Sequence, residues 1–217
     1  MPLTKHVASE PHIPPRPAHE GPHKPVSAVC VYCGASFGRD PAYLEAALAL
    51  GRAFAGAGLR LVYGGGDVGL MGSIARAVID AGGHVTGIIP GFLRDREVML
   101  TEVNELIVTK DMHERKRLMF EHADAFVAMP GGIGTLEEVV EMMTWSQLGQ
   151  HDKPIVLFDV RGFWQPLVSL IDHMRNEAFI RPQNEIRFHV ESDPEKLVAL
   201  LRSSAPKPGD AAVLKRM

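Results

Sequence analysis

The chain is short of several things: cysteine, of which it has two, long apolar runs, and any excess of basic residues. Each shortage removes a class of function. No run of 18 apolar residues occurs, so nothing reads as a membrane-spanning helix. Acidic residues outnumber basic ones, 26 to 23, and a formal charge of −3 gives no basic face for nucleic acid. The N-terminus lacks the apolar core of a secretory signal, so the expected compartment is the cytoplasm. No glycine run is followed by Gly-Lys-Ser/Thr, which argues against a Walker A nucleotide triphosphatase. The two cysteines, Cys30 and Cys33, lie in "AVCVYCG", where strand alternation sends them to opposite faces. A zinc site would need a second ligand pair, and none is present at suitable spacing. Both read as small core residues, and no metal is expected.

Residues 1–26 hold seven of the sixteen prolines and four of the ten histidines. Such a composition buries too little apolar surface to offset its ordering entropy, so a disordered tail is expected there. Residues 204–217 read as a second flexible end. Between them, 27–203 reads as one domain. Apolar strand patterns fall at 27–34, 59–65, 84–90, 105–110, 125–132 and 153–160, with a weaker seventh at 185–190. Helical patterns occupy 41–56, 70–81, 112–122, 135–148, 164–176 and 194–202. Strands apolar on both faces and separated by helices imply a parallel sheet covered on each side. The expected fold is therefore α/β: a doubly wound, mainly parallel, Rossmann-like sheet with helices on both faces. Ligands in such folds bind outside the carboxyl ends of the strands.

Three of those ends carry small residues: "CGAS" (33–36), "YGGGDVGLMG" (63–72) and "MPGGIGT" (129–135). Glycines let backbone N–H groups approach a ligand, and a helix starting there aims its dipole at the same point. A phosphate with its sugar and base fits three converging loops; tight βα turns are the plainer explanation of any one of them. "GGGDVG" matches a dinucleotide fingerprint, but it follows the second strand, and the next strand ends without the acidic residue a ribose-binding site needs. A mononucleotide remains.

Two charged segments complete the picture. In "KDMHERKRLMF" (110–120) Asp111 suits an N-cap, and Arg115 shares a helix face with Met112 and Met119, while Lys116 projects about 100° away. An arginine among apolar neighbours must be paired or must snorkel to the surface. The loop "PGFLRDREVML" (90–100) is polar enough to fold over a pocket with Arg96 or Glu97. Thr135-Leu-Glu-Glu138 spells a capping box, which by itself accounts for Thr135 and Glu138. It does not account for Gly131, Gly132 and Gly134. A carboxylate there also suits a sugar at which positive charge develops as a glycosidic bond breaks.

On these residues the chain resembles the Lonely Guy (LOG) family, the cytokinin riboside 5′-monophosphate phosphoribohydrolases. The hallmark P-G-G-x-G-T-x-x-E is read from Pro130 to Glu138, and its partner signature is similar to Asp111–Lys116. "VYGGGDVGLMG" (62–72) and "TWSQLGQHDKP" (144–154) extend the resemblance over about residues 27–190. It implies a homodimeric enzyme without cofactor that hydrolyses AMP or N6-substituted riboside 5′-monophosphates to base and ribose 5-phosphate. Arg115 and Glu138 would be the catalytic pair. Gly131, Gly132, Gly134 and Thr135 would hold the phosphate, with Glu97, Lys116, Thr144, Ser36, Gly65, Gly66, Met71 and Gly72 as further substrate contacts. Whether Arg115 orients the phosphate or favours departure of the base stays open. Molybdenum cofactor carrier proteins share the glycine-rich turn, so a non-catalytic nucleotide or cofactor carrier is the alternative. A homodimer also fits the helix at 135–148, where Met142, Met143 and Trp145 exceed what one buried face needs.

Overall fold

The computed structural model describes residues 25–94, 99–181 and 185–203. Seven strands form one sheet: β1 (Ala28–Tyr32), β2 (Arg60–Tyr63), β3 (Val85–Pro90), β4 (Glu105–Thr109), β5 (Ala125–Ala128), β6 (Ile155–Phe158) and β7 (His189–Glu191). Their order is β4-β3-β2-β1-β5-β6-β7, and every pairing is parallel. The chain winds outward from β1 to one edge, then returns to lay β5 against β1 and winds to the other. Between β1 and β5 the connections leave in opposite directions, which opens a crevice at their carboxyl ends.

The central strands β1, β3, β5 and β6 are buried along their whole length, because both faces are covered. One face packs against α1 (Ala42–Gly56), α2 (Gly69–Asp80) and α7 (Pro194–Ser203). The other packs against α4 (Met112–Glu121), α5 (Ile133–Gln147) and α6 (Gln165–Asn176). Strand alternation divides the cysteines as expected: Cys33 belongs to the first core and Cys30 to the second, both as free thiols.

Three expectations need correction. Within the polar loop at 90–100, Gly91–Arg94 form a short helix, α3. Helix α5 starts at Ile133, two residues before the expected start, because Gly132 adopts the extended N-cap backbone. Met142 and Met143 are core residues at 1 % and 2 % exposure, so they leave no surplus apolar face. Trp145 is half-buried, edge-on to Phe120. Among the described residues no helix is long and apolar enough to cross a membrane. Of the tails expected at 1–26 and 204–217, residues 1–24 and 204–217 lie outside the described residues, as do Arg96 and Glu97, whereas Val26 packs against the core.

Candidate active site

The three glycine-bearing loops meet at the crevice between β1 and β5. Gly34 donates its N–H to the Pro130 carbonyl at 3.1 Å, and Leu70 donates to the Gly34 carbonyl at 3.1 Å. Gly69, the first residue of α2, sits at φ +64 with its Cα against Ala35 and Ser36, where a side chain would collide with backbone. The loop after β1 is thus clamped between the other two. Gly65 and Gly72 also have internal reasons: a side chain would press on Ile89 or strike the Asp67 carbonyl. Gly66 bridges to Met99, and Ser36 lies exposed in the bend after β1.

The turn from Pro130 to Thr135 differs within itself. A Cβ on Gly131 would strike Thr135, which is buried and folded back under the turn. Gly132 and Gly134 meet nothing within 4 Å, and neither has a positive φ. Among the described residues, neither packing nor backbone geometry requires glycine at these two positions. What they leave clear is the space before the first turn of α5, where Gly132 makes no side-chain cap and the helix dipole points outward. The capping box expected from Thr135 and Glu138 is therefore not formed. With the helix beginning at Ile133, Thr135 is already inside it, and Glu138 is turned toward α4.

There Glu138 accepts a hydrogen bond at 2.8 Å from Nη1 of Arg115. Both side chains are close to nine-tenths buried, at 12 % and 11 % exposure, so the arginine does not snorkel. Asp111 caps α4 by accepting from the Glu114 N–H at 2.8 Å, and Met119, one turn beyond Arg115, anchors the same face in the core. Arg115 Nε donates to the Ile88 carbonyl of β3 at 3.2 Å, which fixes the plane of the guanidinium. Its Nη2 lies against Gly64, where any Cβ would overlap it, and the Met71 sulfur borders the same spot. Burial raises the Glu138 carboxyl above the ordinary glutamate value, and the Arg115 charge opposes that rise without cancelling it.

The other expected residues separate from this pair. Lys116 reaches α5, where Nζ donates to Glu137 at 2.7 Å and Glu141 at 3.1 Å. Thr144 is exposed, its hydroxyl donating to the Val140 carbonyl, about 16 Å along α5 from the turn. Three partners were not foreseen. Gly64 was hidden inside a triple glycine. The Ile88 carbonyl leaves no side-chain signal. Trp164, whose indole donates to the Ala128 carbonyl at 2.9 Å just ahead of the turn, lies 36 positions away in sequence.

A family model described as "Possible lysine decarboxylase" matches residues 71–201. That description calls for a Schiff-base lysine beside a phosphate cradle, which the described residues do not provide. The three loops contain no lysine, Lys116 is engaged by two carboxylates, and Lys153 precedes β6 at the far end of the sheet. A probable cytokinin riboside 5′-monophosphate phosphoribohydrolase of Oryza sativa subsp. japonica is 45% identical over 179 residues, 82% of this chain and 73% of its own. The cytokinin riboside 5′-monophosphate phosphoribohydrolase of Rhodococcoides fascians is 48% identical over 177 residues, 81% of this chain and 89% of its own. Among solved structures, the molybdenum cofactor binding protein of Rippkaea orientalis superposes with a TM-score of 0.60 at 26% identity, covering 84% of this chain and 98% of that one. With relatives 45% and 48% identical over more than four-fifths of its length, the chain belongs to the LOG family.

Proposed function

We propose that the chain hydrolyses the N-glycosidic bond of cytokinin riboside 5′-monophosphates, or of AMP, to the free base and ribose 5-phosphate. The observation that carries this reading is the buried Arg115–Glu138 pair beside an uncapped helix start cleared by Gly132 and Gly134. The N–H groups of residues 132–135 and the dipole of α5 receive the 5′-phosphate. Glu138 lies five residues beyond Ile133, the first residue of α5, about 7.5 Å by helical rise, a reach comparable with that from a 5′-phosphate to the anomeric carbon.

As the C1′–N9 bond breaks, positive charge builds on the ribose, and the Glu138 carboxylate stabilises it. Glu138 also accepts a proton from the attacking water, whose oxygen bonds to C1′; the departing base takes up a proton at nitrogen from solvent, and Glu138 releases its own to solvent to restore the carboxylate. Arg115, held by the Ile88 carbonyl and seated on Gly64, keeps the carboxylate aimed and supports its ionised form. The phosphate ligands of this reading are Gly131, Gly132, Gly134 and Thr135, with Ser36 and Met71 along the crevice. Glu97 belongs to it on resemblance alone.

The reading includes a cytoplasmic homodimer. Ile133 and Val140 on α5 and Leu148 just beyond its end form an exposed apolar stripe, with Thr144 between them, and a second copy would cover it. Incubation with AMP and with isopentenyladenosine monophosphate tests the activity: release of base and ribose 5-phosphate is expected. Nucleotide that is bound but recovered intact would instead make the chain a non-catalytic binding protein.

A further inference from the structure

Lys116 is the neighbour of Arg115 on α4, and its partners flank Glu138 on α5. Glu137 precedes Glu138, and Glu141 is three positions on, an adjacent site on the helix surface where like charges repel. Two cations of α4 thus face three carboxylates of α5: Arg115 takes Glu138, and Lys116 takes the other two. Glu141 depends on this arrangement, because its second oxygen, Oε2, is buried with no hydrogen-bond partner among the described residues. Lys116 is itself only 18 % exposed, and a phosphate could take its ammonium only by displacing both carboxylates.

We infer that Lys116 is not a substrate ligand but a positioning residue, which ties α4 to α5 and offsets the negative charge of Glu137 and Glu141 beside Glu138. This rests on the phosphoribohydrolase reading of the same site. The hydrogen bond that Lys116 donates to Glu137, helped by the one it donates to Glu141 and opposed by burial, holds the ammonium above the ordinary lysine value, so it stays charged wherever the enzyme works. Glu137 disfavours and Lys116 favours the ionised form of Glu138. From β1 and the residue after it, the groups near Glu138 are Cys30, Tyr32 and Cys33, all kept neutral by burial. Loss of Lys116 therefore leaves two uncompensated carboxylates next to Glu138, which then takes up its proton at higher pH.

The test is steady-state hydrolysis of AMP by the full chain and its Lys116→Met, Lys116→Arg and Glu137→Gln variants, from about pH 4.5 to 9. In Lys116→Met the acid limb of kcat is expected to move up by about 0.5–1 pH unit, with KM within about threefold of the parent. Lys116→Arg should restore the limb, and Glu137→Gln should move it downward. A KM raised about tenfold on an unmoved limb is the mark of a phosphate ligand and overturns the inference. An unmoved limb with unchanged KM overturns it equally. If Lys116→Met does not fold, Glu137→Gln decides alone: a downward shift supports the inference and no shift refutes it. If the unaltered chain does not hydrolyse AMP, the proposed activity fails instead. Titration of Glu138 by carbon-13 NMR then still tests the charge relation, since Glu137→Gln should lower its midpoint and an unmoved midpoint sinks it.

Discussion

Glu138→Gln separates catalysis from structure, and both sides of the separation follow from the geometry. The amide oxygen can still accept from Arg115 Nη1 where the carboxylate does at 2.8 Å, so one hydrogen bond survives. What is lost is its charge-assisted part, about 1–2 kcal/mol between a charged and a neutral bond. Burial already disfavours the ionised carboxyl, and removing the charge recovers some of that cost. A net destabilisation of about 1 kcal/mol is expected, a melting temperature lower by roughly 2–4 °C for a domain of this size. AMP affinity, resting on the backbone at 132–135, should stay within several-fold of the parent. Turnover should fall by about 10²-fold or more, equivalent to at least about 2.7 kcal/mol of transition-state stabilisation, because an amide neither takes a proton from water nor offsets a ribosyl cation. Calorimetric AMP binding, thermal melting and chromatographic assay of released adenine read the three quantities. Hydrolysis within a few-fold of the parent rate would refute the catalytic role of the carboxylate.

Gly132→Val should fold normally, since its φ of −92° suits any residue and the space around it is open, yet AMP binding by calorimetry should be lost. Gly64→Ala places a methyl group on Arg115 Nη2 and should displace the guanidinium, lowering kcat by about 10-fold or more while circular dichroism stays parental. The acid limb of turnover should lie above the ordinary glutamate range, because activity needs ionised Glu138 and is lost as pH falls through its raised pKa; a limb at or below about pH 4.3 would contradict the assignment. Trp164→Phe leaves the Ala128 carbonyl without its indole donor at a cost of about 1–3 kcal/mol, to be read as a lower melting temperature.

Elements with strong periodicity were legible in the sequence, and so were the loops that converge. The parallel order followed from strands such as "AVCVYCG", apolar on both faces, and Asp111 was recognisable as an N-cap from its place before a helical run. Boundaries governed by tertiary contact were less so. The seventh strand lies at 189–191, against an expected 185–190, because its pairing with β6 rather than its apolar content sets where it begins. Thr135 and Glu138 spell a cap in sequence, but local spelling cannot show that Gly132 starts the helix earlier or that a buried arginine claims the carboxylate. Lys116 illustrates the same limit. Its charge and helical angle were readable, whereas the carboxylates that hold it come from a helix separated from it by a whole strand.

The position of the crevice has a consequence for how the molecule acquires its structure. The strand β1 pairs with β5, from Val29↔Ala125 to Tyr32↔Ala128, across about 100 intervening residues. Contacts so distant along the chain bring their reward only after long loops have closed, so the seam that carries the site should be among the slower parts to form. No early fragment can hold it. A piece such as 71–201, the extent of the family match, would lack β1, β2 and the Gly64 seat, leaving β5 with an open edge and Arg115 without its backing. Such a piece should aggregate rather than bind nucleotide, and during refolding of the whole chain AMP affinity should appear later than most of the helical signal.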